Sequence, residues 1–192
     1  MNNKTKKLAI TGMLCALAYL TVSTVRIPLI LFLKYEPKDV IITIGGLLFG
    51  PFTSFLISFI VSFAQMMTIS ENGLLGFLMN TISSCSFACT ASLIYRKKRR
   101  FSGAVAGLIA GWACMILVML LWNYLVTPFY MGCSREDVVK LLLPAFLPFN
   151  FIKGGLNTVI TILLYKPVIT ALRRSRMLPS KTKKSFAKHK KP

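Results

Sequence analysis

Acidic residues are scarce in this chain: five Asp and Glu stand against 24 Lys and Arg in 192 residues, and there is one histidine, His189. No acid falls deep in an apolar run, which argues against the usual carriers of a proton or sodium relay. A GxxxxGK[ST] phosphate loop is lacking, so ATP hydrolysis by that route is excluded. There is no HExxH, no paired-carboxylate motif and no converging Ser, His and Asp, which leaves hydrolytic and redox catalysis without their groups; the chain reads as a non-enzyme. The five cysteines, Cys15, Cys85, Cys89, Cys114 and Cys133, form no CxxC pair. Four of them lie in apolar segments, where a thiol behaves as a small polarizable hydrophobe. Cys85 and Cys89 share a helix face, but no acid or histidine is near, so no metal and no cofactor is expected.

What the chain has in quantity is apolar residues: 55% hydrophobic, 15% charged and a mean hydropathy of +0.65. Apolar runs of about 18 residues or more, enough to cross a hydrocarbon layer of roughly 30 Å, recur several times. This is the composition of an integral membrane protein. The net charge of +19 does not point to nucleic acid, because the basic residues sit between and after the apolar runs rather than among aromatics on a soluble face. Of the 24 Lys and Arg, 18 fall in four places: Lys4, Lys6 and Lys7; Arg96 to Arg100; Lys166; and nine residues from Arg173 to Lys191. The acids Glu36, Asp39, Glu71, Glu136 and Asp137 lie in the intervening loops. The positive-inside rule then sets both termini and Arg96–Arg100 in the cytoplasm, with an even number of crossings. The first apolar segment runs past signal-peptide length without a small-residue cleavage pattern.

The expected fold is an all-α bundle of six transmembrane helices over residues 1–172, at about 8–25, 39–49, 52–69, 74–95, 103–127 and 148–172. The first carries Gly12 and Ala16 four apart, a spacing that lets another helix approach closely. Arg26-Ile27-Pro28 ends it, and residues 29–38 read as a partly ordered outer loop lying over the bundle mouth like a lid. Helix 2 is short, with Gly45-Gly46 near its middle; Gly50-Pro51 makes a tight inner turn. Ser54, Ser58 and Ser62 give helix 3 a small polar stripe, read as a packing seam. An outer amphipathic piece, Ser134 to Leu143, opens with a helix-start signal and acids in its first turn. The tail, residues 173–192, is basic and of low complexity, suited to resting disordered on the anionic inner leaflet of the bilayer.

The most informative stretch is Leu143 to Lys166, LPAFLPFNFIKGGLNTVITILLYK, which sets Asn150, Lys153 and Asn157 along one side of an otherwise apolar helix. Polar groups in such surroundings cost free energy and need a reason. Lys153 is the one basic residue expected clearly inside a hydrophobic segment. With Asn80 and Asn123, these groups cluster near the outer ends of helices 4 to 6. Asparagine both donates and accepts, lysine only donates, and aromatics such as Tyr35, Trp122, Tyr124 and Phe149 are close in the pattern. The set suits a flat, neutral heterocycle bearing carbonyls and ring nitrogens.

These residues carry a resemblance. The stretches Phe32–Asp39 (FLKYEPKD) with Gly45-Gly46, Gly76–Ser84 (GFLMNTISS), Trp122–Gly132 (WNYLVTPFYMG) and Leu143–Pro167 resemble the riboflavin-specific S components of energy-coupling factor (ECF) transporters. The resemblance implies a six-helix bundle in a bacterial cell membrane that captures riboflavin from outside. It also implies delivery by docking on a shared module of one membrane scaffold subunit and two ATPases. Carried over by motif, Asn123, Asn150 and Lys153 are implied to hydrogen-bond the isoalloxazine ring and Asn80 to lie toward the ribityl chain, with Tyr35 and Glu36 contributed by the first loop. Gly12 and Ala16 stand where the family carries an alanine-rich AxxxA signature that meets the scaffold subunit. Two other readings stay open: a solitary flavin facilitator without an ATPase partner, and a membrane thiol redox or assembly factor working through Cys85 and Cys89.

Overall fold

The computed structural model describes residues 3–30, 33–69, 73–132 and 134–174. Most of the basic tail, with Glu71 and Cys133, lies outside the described residues. In a hydrocarbon layer each backbone N–H and C=O must find its partner within the segment, and the apolar runs accordingly fold as helices. The order is α1 (Asn3–Thr24), a hairpin of β1 (Ile27–Ile30) and β2 (Leu33–Tyr35), then α2 (Lys38–Phe49), α3 (Pro51–Thr68), α4 (Gly73–Lys97) and α5 (Phe101–Met131). After these come α6 (Arg135–Leu141), a π turn (Leu142–Phe146) and α7 (Leu147–Arg174).

Among the described residues, five stretches are long and apolar enough to cross a membrane: Lys4–Thr24, Pro51–Thr68, Gly73–Lys97, Phe101–Phe129 and Arg135–Val168. The second expected helix differs. With 12 residues α2 is about 18 Å long, short of the roughly 30 Å layer. It is instead enclosed by the bundle, with nine of its residues buried, among them Lys38 and Asp39. The all-α reading holds apart from the first loop, where residues 27–30 and 33–35 pair as two antiparallel strands.

Turns and close approaches fix the packing. Gly50 sits at φ 101°, a conformation that favours glycine, and Pro51 takes the first turn of α3, so the chain reverses in one step. Along α5, a methyl group at Gly107 or Gly111 would run into the carbonyl oxygens of Ala91 and Phe87, so α4 and α5 meet backbone to backbone. Phe87, Ala91, Leu108, Met115 and Met119 fill the rest of that seam. A second apolar core joins Ile10, Leu14, Ala18 and Val22 of α1 to Ile42, Ile57, Val61 and Ala88. The hydroxyls of Ser54, Ser58 and Ser62 are buried, and Ser54 Oγ lies 3.3 Å from Ser92 Oγ of α4, so the stripe is a packing seam.

Outward, the bundle shows Leu17, Phe55, Phe63, Leu117 and Leu163, each more than 40% exposed, the surface a lipid-facing protein presents. Helix α5 continues past the expected Thr127 through Pro128 to Met131, and Gly132 in the left-handed region ends it. Ser134 caps α6 by accepting the Asp137 N–H at 3.2 Å, as its helix-start signal implied. Between α6 and α7 the helical path does not break. Pro144 has no N–H to donate and obstructs the carbonyl four residues back, and the backbone widens there into the π turn.

Candidate functional site

A cavity of about 150 Å³ opens at the hairpin end of the bundle, away from the basic clusters. Every expected group near the outer ends of α4, α5 and α7 reaches it: Asn80, Asn123, Asn150 and Lys153 line the wall, as does Glu36 from the hairpin side. Helical spacing does this. Asn150 and Lys153 lie one turn apart on α7, while Met119, Asn123 and Thr127 fall at spacings of four on α5. Of the expected aromatics Phe149 lines the cavity, joined by Phe146; Trp122 instead packs against the α4–α5 core and Tyr124 is 38% exposed.

Three of these side chains, Asn123, Asn150 and Lys153, have defined hydrogen-bond partners. Asn123 Nδ2 donates to Met119 O at 2.8 Å, and its Oδ1 accepts from Thr127 Oγ1 at 3.0 Å. Asn150 Nδ2 donates to Phe146 O at 2.8 Å, while its Oδ1, fully buried, has no partner among the described residues. A buried acceptor left unpaired costs about 1–3 kcal/mol, so this oxygen is set for a donor that the described residues do not supply. Lys153 Nζ donates to Ser83 Oγ at 3.2 Å and pairs with Asp39 Oδ2 at 3.1 Å.

That ion pair corrects the sequence-based picture of the acids. Asp39 is not an outer-loop residue: it is 0% exposed, in the first turn of α2, and its Oδ1 accepts from Ser84 Oγ at 2.5 Å. Nor is Lys153 the one enclosed cation, since Lys38 is 0% exposed as well. Lys38 Nζ donates to Glu36 Oε2 at 2.6 Å and to Gln65 Oε1, and Gln65 Nε2 donates to Glu36 Oε1 at 2.7 Å. The apolar window around residues 39–49 hid this, because both charges stand at its edge, where a span and a loop read alike.

Tyr35 does not line the cavity. Its hydroxyl donates to Asn157 Oδ1 at 3.0 Å, behind the wall, and Asn157 Nδ2 in turn donates to Asp39 Oδ2 at 3.4 Å. Burial, and then the Asp39 carboxylate, push the Tyr35 hydroxyl well above its ordinary value, so it stays a donor. Gly12 and Ala16 are remote from the cavity, on the open side of α1; a Cβ at Gly12 would meet nothing within 4 Å.

Residues that the sequence reading passed over complete the wall, among them Arg26, Gln65, Ser83 and Thr127. Gln65, the one amide in the apolar run of α3, was a legible signal. Arg26 was read only as a helix end. Its Nε donates to Val22 O at 3.1 Å and its Nη1 to Ile69 O at 3.2 Å, while Nε lies 3.9 Å from Glu36 Oε1. Among the described residues no cluster of three or more His, Cys, Asp or Glu is placed to hold a metal ion.

A family model described as "ECF transporter, substrate-specific component" matches residues 6–165. The chain is 28% identical over 177 residues to the "Riboflavin transporter RibU" of Staphylococcus aureus (strain TCH60), covering 88% of this chain and 93% of that protein. It is 28% identical over 188 residues to the "Riboflavin transporter FmnP" of Bacillus subtilis (strain 168), covering 91% and 99%. A solved structure described as "Structure and mechanism of the S component of a bacterial ECF transporter" superposes with a TM-score of 0.75 at 27% identity, covering 89% of this chain and 99% of that one. ThiT from Listeria monocytogenes shares the fold, with a TM-score of 0.56 at 11% identity over 93% of this chain and 100% of that one.

Proposed function

The chain belongs to the family of ECF transporter substrate-specific components, and from that premise we propose that its cavity takes riboflavin from outside the cell for ATP-driven uptake by a shared energising module. Two relatives along nearly the whole chain are named riboflavin transporters. The observation that carries the reading is the unpaired Oδ1 of Asn150. The isoalloxazine ring ends in an imide, one N–H donor between two carbonyl acceptors. An acceptor at Asn150 and an ammonium donor one turn on at Lys153 match that edge, with Phe146 and Phe149 available to its faces. Asn123 extends the polar wall, Asn80 and Glu36 suit the hydroxyls of the ribityl chain, and Tyr35 supports the wall from behind through Asn157.

In this reading the termini are cytoplasmic, where the basic clusters gather, and the cavity faces outward beneath the hairpin. The scaffold subunit of the module meets the open face of α1 at Gly12 and Ala16, where small residues permit close helix approach. The two ATPases act through that subunit, and the chain itself does no chemistry on its ligand.

The test is binding by the purified, full chain in detergent. Protein from flavin-containing cells is expected to be yellow, and after flavin removal it should quench riboflavin fluorescence with one site per chain. A colourless protein that leaves riboflavin fluorescence unchanged would overturn the reading. Liposomes holding the chain alone, and with the ATPase module, separate an S component from a solitary facilitator, which would take up riboflavin without ATP.

A further inference from the structure

We propose that Asp39 is the positioning residue of this site: it holds the Lys153 ammonium at the cavity wall and cancels its charge, so that the site takes a neutral ring in preference to an anionic one. The proposal rests on the flavin reading above. Asp39 does not line the cavity, and it acts through Lys153.

The geometry of the pair is over-determined. The carboxylate projects from α2, yet it is gripped by α4 through Ser84 Oγ at 2.5 Å and by α7 through Asn157 Nδ2 at 3.4 Å and Lys153 Nζ at 3.1 Å. Asn157 is itself held by the Tyr35 hydroxyl. An ammonium has three protons to donate; Asp39 and Ser83 take two, no third acceptor stands within reach among the described residues, and Lys153 lines the cavity. Glu36 is not the counter-ion of Lys153, because both its oxygens accept from Lys38 and Gln65. So, among the described residues, the charge on the only lysine of α7 that reaches the cavity is answered by one group, Asp39.

Consider the same wall without that carboxylate. A buried lone cation attracts an anion, and an opposite charge within about 4–6 Å lowers the pKa of an acidic ligand group by about 1–3. Riboflavin carries such a group in its weakly acidic imide N–H. With Asp39 present the ligand meets a neutral pair at Lys153, the other cations of the wall being Arg26, 3.9 Å from Glu36, and Lys34 of the hairpin, both unchanged by the substitution, and its imide stays protonated as the partner of Asn150. With Asp39 absent, the unbalanced ammonium favours loss of the imide proton to solvent.

The experiment compares the full chain, Asp39→Asn, Lys153→Met and the double variant. Riboflavin affinity is read by fluorescence quenching, and ionisation of the bound imide by absorbance across alkaline pH. In Asp39→Asn the imide transition of the bound flavin is expected to move down by about one pH unit, the lower end of that range. Affinity for neutral riboflavin should fall about 10-fold, as expected for one disrupted buried contact. In the Lys153→Met background, adding Asp39→Asn should change affinity by less than about twofold, the mark of a group that acts through Lys153. If Asp39→Asn leaves the imide transition where it is in the unmodified chain, or if the two losses simply add, the proposal is wrong. If Asp39→Asn does not fold, a well-folded double variant supports the pairing, and an equally poor one overturns it. Failure of the unmodified chain to bind riboflavin would instead strike the functional reading, a separate result.

Discussion

The α4–α5 seam and the contact of α2 with α4 and α7 use opposite means to hold helices together. At the seam, Gly107 and Gly111 let the backbones touch, with Phe87, Leu108 and Met115 filling the space and no charge in sight. At the other contact, Asp39, Lys153, Asn157, Ser84 and Tyr35 form a chain of hydrogen bonds and one ion pair. Packing of small residues suffices to associate helices in lipid, so buried charge is not needed for stability as such. Under the proposed function, the Asp39–Lys153 pair beside the cavity is there for the ligand, whereas the uncharged seam serves the fold alone.

Substitutions sharpen this contrast. The largest effect on the fold is expected from Gly111→Leu, which forces a bulky side chain against the Phe87 carbonyl. A loss of about 3 kcal/mol or more should appear as a large drop in melting temperature that riboflavin does not restore. A normal melting temperature would mean the seam is loosely packed. Lys38→Met comes next, because it removes the cation that answers Glu36 in a fully buried position. Its cost should approach the roughly 3–5 kcal/mol of a broken buried pair, reduced where Arg26 and Gln65 still face Glu36, and read as loss of melting temperature.

Asn150→Leu reverses the balance. It removes an acceptor that has no partner among the described residues, together with a local Nδ2 bond to the Phe146 carbonyl one turn back, so melting without ligand should change little, while riboflavin affinity falls by about 1–3 kcal/mol in a quenching titration. Loss of stability with unchanged affinity would put Asn150 in the structural class. The smallest effect on the isolated protein belongs to Gly12→Leu with Ala16→Leu, on the open face of α1. Binding and melting should stay as they were, while ATP-dependent uptake with the module is lost; intact uptake would move the docking face elsewhere.

Much of this was legible in residues alone, for reasons that differ by element. Long apolar runs bounded by Gly50-Pro51 and by the Ser134 cap placed the helices within a few residues. Asn123, Asn150 and Lys153 stood out because a polar group inside an apolar helix is conspicuous. The pattern was silent where polarity and burial coincide at a helix end. Lys38 and Asp39 look like loop residues, and only their contacts 27 to 118 positions away make them core. The hairpin was hidden too, since Pro28 and a short alternation read equally well as a loop.

The position of the ligand is the most direct test, read from a crystal or cryo-EM structure of the full chain with riboflavin. The expected map has the imide edge of the ring on Asn150 and Lys153, with Asn123 beside it and Asp39 behind the lysine. A flavin bound elsewhere, with the cavity between α4, α5 and α7 filled by side chains, would contradict it.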